Sequence, residues 1–172
     1  MVTRYDIVVG IDPDCDKSGF SVVDVATRTI SLGCYAFPEL LERLQELKRD
    51  AETTGKRYKV IIEASWLIKT NWHLIRGDSK AVCAAKGHQV GRNHETGMKI
   101  AQMCEYYGIP YEEQRPLLKK WNTRDGKISH DELAYFAKLN KKRSNPEERD
   151  AALLAWSYAN LPMKIMTIKA KR

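Results

Sequence analysis

The sequence lacks any pair of cysteines at C-x-x-C spacing. Its four cysteines, Cys15, Cys34, Cys83 and Cys104, are scattered, which argues against a zinc module built on clustered ligands. Cys83, His88, His94 and Cys104 form the one loose grouping of zinc-type ligands, and reduced thiols in a cytoplasmic protein are the simpler expectation. Also lacking is an uncharged apolar run near the ~18 residues that a membrane span needs. Asp6 and Asp12 stand where a signal peptide would carry its apolar stretch, so neither a membrane partner nor export is expected. There is no internal repeat. Residues 130–133 spell H-D-E-L, but that signal is read only at a C-terminus. Acids are in deficit: 22 Asp and Glu face 29 Lys and Arg, a net charge of +7. That balance points toward a polyanionic partner such as nucleic acid. What is present is enough for one globular domain. The 172 residues are 43% hydrophobic, and a chain of this size buries roughly 70% of its unfolded surface on folding.

Residues 7–11 form a continuous apolar run, suited to a strand buried on both faces. Residues 19–25 and 29–37 read as two more strands, and the short turn at Thr27-Arg28 makes them an antiparallel hairpin. Pro38 then suits a first helical turn, followed by Leu40, Leu41, Leu44 and Leu47 at helical spacing. That helix ends at residues 53–55, and 58–62 is a fourth strand. Between 66 and 88, Trp66, Trp72 and His73 mix with Lys69, Arg76, Lys80 and Lys86 in no clean period. A helical pattern returns over 92–107 and is closed by Gly108. Residues 109–113 are a short fifth strand, with Pro110 marking an edge or first-residue position. The capping box Ser129-x-x-Glu132 opens a helix to about Leu139, and Lys141-Lys142-Arg143 is a basic loop. Asn145-Pro146-Glu147-Glu148 is a second helix start, and that helix runs to about Ala159, before Pro162. The expected architecture is α/β: a five-stranded mixed sheet, its first three strands antiparallel and its last two parallel, flanked by helices. Residues 1–160 make one domain and 161–172 a basic tail.

Three acids sit where packing does not ask for them. Asp12 follows the first buried strand at its carboxyl end, and Glu63 follows Val60-Ile61-Ile62 in the same way. In open α/β sheets that end of the strands is where ligands bind. Asp150 lies one helical turn beyond Glu147, and the small Ala151 and Ala152 would let their helix approach the sheet closely. Two unit charges ~4 Å apart repel by about 4 kcal/mol at an effective dielectric of 20. A cluster of acids therefore needs a divalent cation, of which Mg2+ prefers oxygen ligands and phosphate partners. Each residue also has a plain reading. Asp12 before Pro13 suits a turn, Glu147 and Glu148 suit a helix N-terminus, and Asp150 suits a solvated face.

Ile11-Asp12-Pro13-Asp14 with Ser18-Gly19-Phe20-Ser21-Val22-Val23 resembles the opening G-I-D-P-G-x-x-x-x-G-x-x-V of RuvC-type Holliday-junction resolvases. These belong to the ribonuclease-H-like (retroviral-integrase-like) superfamily. The apolar strand ending at Glu63 is similar to the second motif of that family. The stretch from Leu117 through Gly126 to Leu133 resembles its basic segment, and Glu147-x-x-Asp150-Ala151-Ala152-x-x-x-Ala155 its final acidic helix. In order and spacing the resemblance reaches to about Asn160, and phage and mobile-element members are the nearest in kind. It implies a ribonuclease-H-like fold and a homodimeric endonuclease dependent on Mg2+, with Mn2+ as a substitute, that nicks four-way DNA junctions in symmetric pairs. Water would attack the phosphorus in line, with no covalent enzyme intermediate. Asp12, Glu63 and Asp150 fall on the metal-binding acids, and Glu147 on a fourth position where the family usually has Asp or His. Trp66 falls where the family carries an aromatic that stacks on an unpaired base, although a packing role explains it equally well. Lys119, Lys120, Lys127 and His130 fall on the basic segment near the scissile phosphate, and a solvent-facing basic loop would look the same. The chain departs from the pattern at Asp14, where the family has a small Gly, at the additional Asp16, and in a longer 66–88 stretch. Residues 91–98, with Asn93 and His94, match only loosely, and the helix over 92–107 is the candidate dimer interface. Two other functions stay open: a nuclease of the same fold acting on RNA, RNA–DNA hybrids, flaps or forks, and a non-catalytic nucleic-acid-binding module.

Overall fold

The computed structural model describes residues 5–68, 76–118, 120, 121 and 123–164. Six strands form one sheet: β1 (Ile7–Asp12), β2 (Ser18–Asp24), β3 (Thr29–Tyr35), β4 (Tyr58–Glu63), β5 (Tyr111–Gln114) and β6 (Lys138–Leu139). Four helices accompany them: α1 (Phe37–Thr54), α2 (Lys80–Tyr106), α3 (His130–Phe136) and α4 (Pro146–Tyr158). The strand order is β5-β4-β1-β2-β3-β6. β1 to β3 are antiparallel, and β4 and β5 run parallel to β1, as the sequence leads one to expect. This is the expected α/β arrangement, a mixed sheet with helices on its faces.

The sheet has two buried faces because its central strands alternate between two apolar sets. Val8, Val23, Ile30, Leu32 and Ile61 pack with Leu133, Leu154 and Trp156 of α3 and α4. Val9, Ile11, Phe20, Val60 and Ile62 pack with Leu40 and Leu44 of α1 and with Ile100 and Cys104 of α2. The apolar stretches Ile7–Ile11 of β1 and Val60–Ile62 of β4 are therefore neighbours at the centre, where both faces need burial. Burial pushes the Cys104 thiol up to about 12, in keeping with a packing role.

Several elements differ from the sequence-based expectation: the third and fifth strands, expected over 29–37 and 109–113, occupy Thr29–Tyr35 and Tyr111–Gln114, which leaves Pro110 just before its strand. A sixth strand, β6, pairs parallel with β3 through Thr29–Lys138 and Ile30–Leu139. The helix expected to run to about residue 139 ends earlier because Ala137 is extended, with φ −125° and ψ 148°. Two residues of edge pairing leave no periodic signal in a sequence. Conversely, α2 starts at Lys80 rather than near 92, capped by the Ser79 side chain, which accepts a hydrogen bond from the Val82 N–H. Its first turns are mostly exposed, whereas Gly97, Ile100, Ala101 and Cys104 are buried. A helix without a buried face carries no apolar stripe, so only its second half was readable. Of the 66–88 stretch, residues 69–75, including Lys69, Trp72 and His73, lie outside the described residues. Among the described residues no helix is long and apolar enough to cross a membrane.

Candidate active site

Strand periodicity decides where the acids point. Along β1, Val9 and Ile11 belong to the α1/α2 face and Val8 to the α4 face. Asp12 is an even number of residues from Val8, so it projects toward α4. On β4, Ile61 lies on the α4 face, and Glu63 two residues later follows it. Ile11 is in register with Ile62 of the parallel neighbour, so both acids leave the same end of the sheet side by side.

The helix carrying the other two acids reaches them through missing side chains. A Cβ on Gly10 would lie 2.0 Å from the Ala151 carbonyl oxygen, and one on Gly19 would lie 2.1 Å from that of Glu147. The backbone of α4 thus rests directly on β1 and β2 at the turn that bears Glu147 and Asp150. Asn145 caps α4 by accepting from the Glu148 N–H at 2.8 Å, and Glu148 returns a carboxylate to the Asn145 N–H at 3.0 Å. Glu148 is also paired with Lys141 at 2.5 Å and is buried. The two adjacent glutamates have separate roles: Glu148 holds the helix end and Glu147 faces the cavity.

Asp12, Glu63, Glu147 and Asp150 line one cavity of about 250 Å³, together with Lys127. Burial, then the charges of Glu63 and Asp150 and, to a smaller extent, Glu147, pushes the Asp12 carboxyl well above the usual carboxylate range, against the pull of Lys127. Lys127 Nζ donates to Asp150 Oδ2 at 2.6 Å. Burial alone would lower the Lys127 pKa, but the hydrogen bond and charge of Asp150, with Asp12 and Glu147, raise it, so the side chain stays a cation. Its loop is held by Gly126 at φ 70° and by Arg149, whose Nε donates to the Ile128 carbonyl at 2.7 Å.

The donor set fits a hard divalent cation. These four groups are carboxylates, the oxygen ligands that Mg2+ and Mn2+ prefer, and Asp14 and His94 line the same cavity beside them. Excess negative charge at Asp12 is the electrostatic condition such a cation relieves. Among the described residues, Asp14, Cys15 and Asp16 in the β1–β2 loop are the group whose ligand atoms all lie within 4.8 Å of one another, whereas the four cavity acids line their shared space at wider spacing. Asn93 braces that loop: its Oδ1 accepts from the Cys15 N–H at 3.1 Å, and its Nδ2 donates to Asp14 Oδ2 at 3.3 Å. Cys83, His88, His94 and Cys104 form no such group among the described residues.

The remaining sequence candidates fall in different places. His130 does not line the cavity; its Nδ1 is 2.9 Å from Ser144 Oγ beside the start of α3. Lys120 is exposed and borders a neighbouring apolar chamber instead. Lys119 lies outside the described residues. Trp66 sits in a 3-10 turn over Ser65–Leu67, partly buried against the α1/α2 core. A Cβ on Gly97 would fall 2.2 Å from its Cζ3 atom, so the indole rests on bare helix backbone. Asn93 and His94 of α2 line the cavity, as does Trp121. Asn93 and His94 lie just past the exposed turns of α2, where no apolar stripe marks the inward face, and Trp121 stands in a loop.

Lys127→Ala leaves four carboxylates facing one another without their cation. In chelator it is expected to cost about 1.5–3 kcal/mol at pH 8, the value of a hydrogen bond to a charged group, and less near pH 4, because the raised Asp12 carboxyl is protonated more readily than a free one and then no longer opposes its neighbours. Thermal melts at both pH values check this; an equal loss at both overturns the electrostatic role.

The site and sheet define a class: an α/β domain with carboxylates gathered at the carboxyl ends of its central parallel strands. No protein-family model and no curated protein matches the chain. Among solved structures it is similar to Thermus thermophilus RuvC in complex with a Holliday junction substrate. That match is 14% identical, with a TM-score of 0.49, over 90% of this chain and 94% of that one. It is also similar to a second Thermus thermophilus RuvC structure, at 15% identity and TM-score 0.44, over 90% and 95%. The neighbours are RuvC Holliday-junction resolvase structures, the same family the sequence resembles.

Proposed function

We propose that this protein is a divalent-metal-dependent endonuclease that cleaves branched DNA and resolves four-way junctions by paired, symmetric nicks. What carries the proposal is the convergence of Asp12, Glu63, Glu147 and Asp150, from three separate elements, on one cavity beside Lys127. A pure binder of phosphates gains nothing from clustered negative charge, whereas a phosphodiester-cutting site requires it. The four carboxylates would hold Mg2+ or Mn2+. When bound, the cation supplies positive charge against the phosphodiester oxygens and lowers the pKa of water at the site. Lys127 orients Asp150 and keeps a fixed positive charge at the edge of the cluster. Lys119, Lys120 and His130 contact phosphates flanking it, and Trp66 stacks on an unpaired base near the branch. Two opposed nicks need two sites related by a twofold axis, so a homodimer is part of the proposal. The helix segment 92–107 supplies its interface, where Met98 and Tyr106 are 41% and 79% exposed.

The test is a panel of four-way junctions, forks, flaps, RNA–DNA hybrids and linear duplexes, each with Mg2+ or with chelator. Paired nicks placed symmetrically in the junction are expected, in Mg2+ only. Cleavage confined to hybrids, or none with any metal, overturns the proposal. Binding is also expected to weaken steeply with salt. Setting the four site acids aside leaves 18 acids against 29 bases over the rest of the chain. With roughly six phosphate contacts, affinity should fall about 10³-fold between 50 and 200 mM salt. A flat salt profile, measured by titration in chelator, argues against a phosphate-binding surface.

A further inference from the structure

We infer that the apolar chamber beside the carboxylate cavity receives one unstacked nucleobase of the DNA, with Leu118 as the wedge that enters the gap in the stack. The inference rests on the nuclease proposal for the neighbouring cavity and adds a substrate contact to it.

The chamber has a volume of about 450 Å³, and its wall includes Leu117, Leu118, Trp121, Leu153 and Met163. Leu117, Leu118, Trp121 and Leu153 also line the carboxylate cavity, so the two spaces share a wall. A nucleotide has the same two-part chemistry: an anionic phosphate joined to a flat, largely apolar base. A phosphate held at the carboxylate site places an adjoining base within reach of the chamber, and Lys120 on its lining offers a cation to the next phosphate. The chamber is preformed. Trp121 is stacked on Phe136 at 6.0 Å and 25°, and Phe136 contacts the fully buried Trp156 at 5.3 Å. Its aromatic wall is therefore anchored in the core.

Leu118 supplies the second observation. It is 75% exposed, the most exposed of the large aliphatic side chains among the described residues, and it stands at the boundary of the two spaces. Leucine is among the apolar side chains that proteins insert between base steps to open a stack. The cost of extruding a base is least where pairing is already interrupted, as at a branch point. The contact is distinct from the one expected of Trp66, whose ring rests on α2 at Gly97 and does not line the chamber.

The experiment places 2-aminopurine, in turn, at each nucleotide flanking the branch of a four-way junction and measures its fluorescence with wild-type protein in chelator. One position is expected to brighten several-fold. Leu118→Ala should return it to the level of free DNA and weaken junction binding about tenfold, within the range for losing one stacked base. Binding to linear duplex should be unchanged, and Leu118→Phe should restore the signal. An unaltered melting curve shows that Leu118→Ala remains folded, as the exposed position leads one to expect. No bright position, or equal brightening with Leu118→Ala, overturns the inference. A change in sedimentation with Leu118→Ala at constant fluorescence makes the chamber a contact between copies and also overturns it. The two proposals fail separately. A Leu118-dependent signal without Mg2+-dependent cleavage supports the base site and removes the nuclease reading; symmetric cleavage without the signal does the reverse.

Discussion

Asp12→Asn is expected to abolish Mg2+-dependent cleavage of a four-way junction, by at least about 10³-fold, while junction binding survives. That loss corresponds to the several kcal/mol of transition-state charge stabilisation a bound cation contributes. Asp12 lies deepest in the electrostatics of the site, raised by burial and by Glu63, Asp150 and Glu147 together. Binding is expected to survive because Asn removes a negative charge from the surface proposed to meet phosphates. The same substitution should stabilise the protein in chelator at neutral pH. The sign follows from linkage: a carboxyl whose folded-state pKa lies above its unfolded value binds its proton more tightly when folded. Its stabilising contribution is complete below the unfolded pKa of about 3.8 and is lost as pH rises through the higher folded value. At pH 7 Asp12 is therefore a net burden without a cation, because the folded chain holds its proton more tightly than the unfolded chain does. Asn lifts it, raising Tm by about 2–4 °C for each kcal/mol relieved. The gain should shrink toward pH 4 and also when Mg2+ is added to the wild type. Gel assays of cleavage and binding, with melts at two pH values, test all of this. Wild-type cleavage by Asp12→Asn removes the residue from the mechanism.

Gly10→Ala is expected to damage both stability and activity although it touches no acid. The added methyl would sit 2.0 Å from the Ala151 carbonyl oxygen and 2.9 Å from its carbon, both backbone atoms that no rotamer change can move aside. β1 is held on both edges by β2 and β4, so relief requires α4 to lift by more than an ångström. Overpacking of a tight core costs about 1–3 kcal/mol, occasionally more. The lift also carries Glu147 and Asp150 away from Asp12 and Glu63, and a 1 Å misplacement of catalytic groups can cost about 10²-fold in rate. Gly87→Ala is the control. It lies in α2 with nothing within 4 Å of a new Cβ, and it should be neutral or stabilising by up to ~1 kcal/mol. Melting and cleavage rates of the two variants check the contrast; Gly10→Ala with wild-type values overturns the proposed seating of α4.

Much of this was readable along the chain because the signals are local. The apolar runs at 7–11 and 58–62 marked the two central strands, and the observed β1 and β4 fall on them. The Asn145, Pro146 and Glu148 start signal placed α4, and its capping box is formed in the structure. Other features left no local trace. β6 rests on two residues of pairing, and the first turns of α2 present no buried face. His130 sits in the basic segment, yet its ring turns to Ser144 rather than to the cavity. Lys127 differs from its neighbours in the basic segment only through the turn at Gly126 and the Arg149 bond that holds its loop.

The sequence by itself determined the element types, the α/β class and the positions of the four acids at the ends of elements. Periodicity, caps and strand termini are properties of neighbouring residues. The tertiary structure alone decided that those acids share one cavity. That required β1 and β4 to pair in parallel, and it required α4 to rest on two glycines 9 residues apart in the chain. It also decided that Asp150 is held by Lys127, 23 residues away, and that an apolar chamber opens beside the site. Such contacts depend on distances across the fold, and no spacing along the chain encodes them.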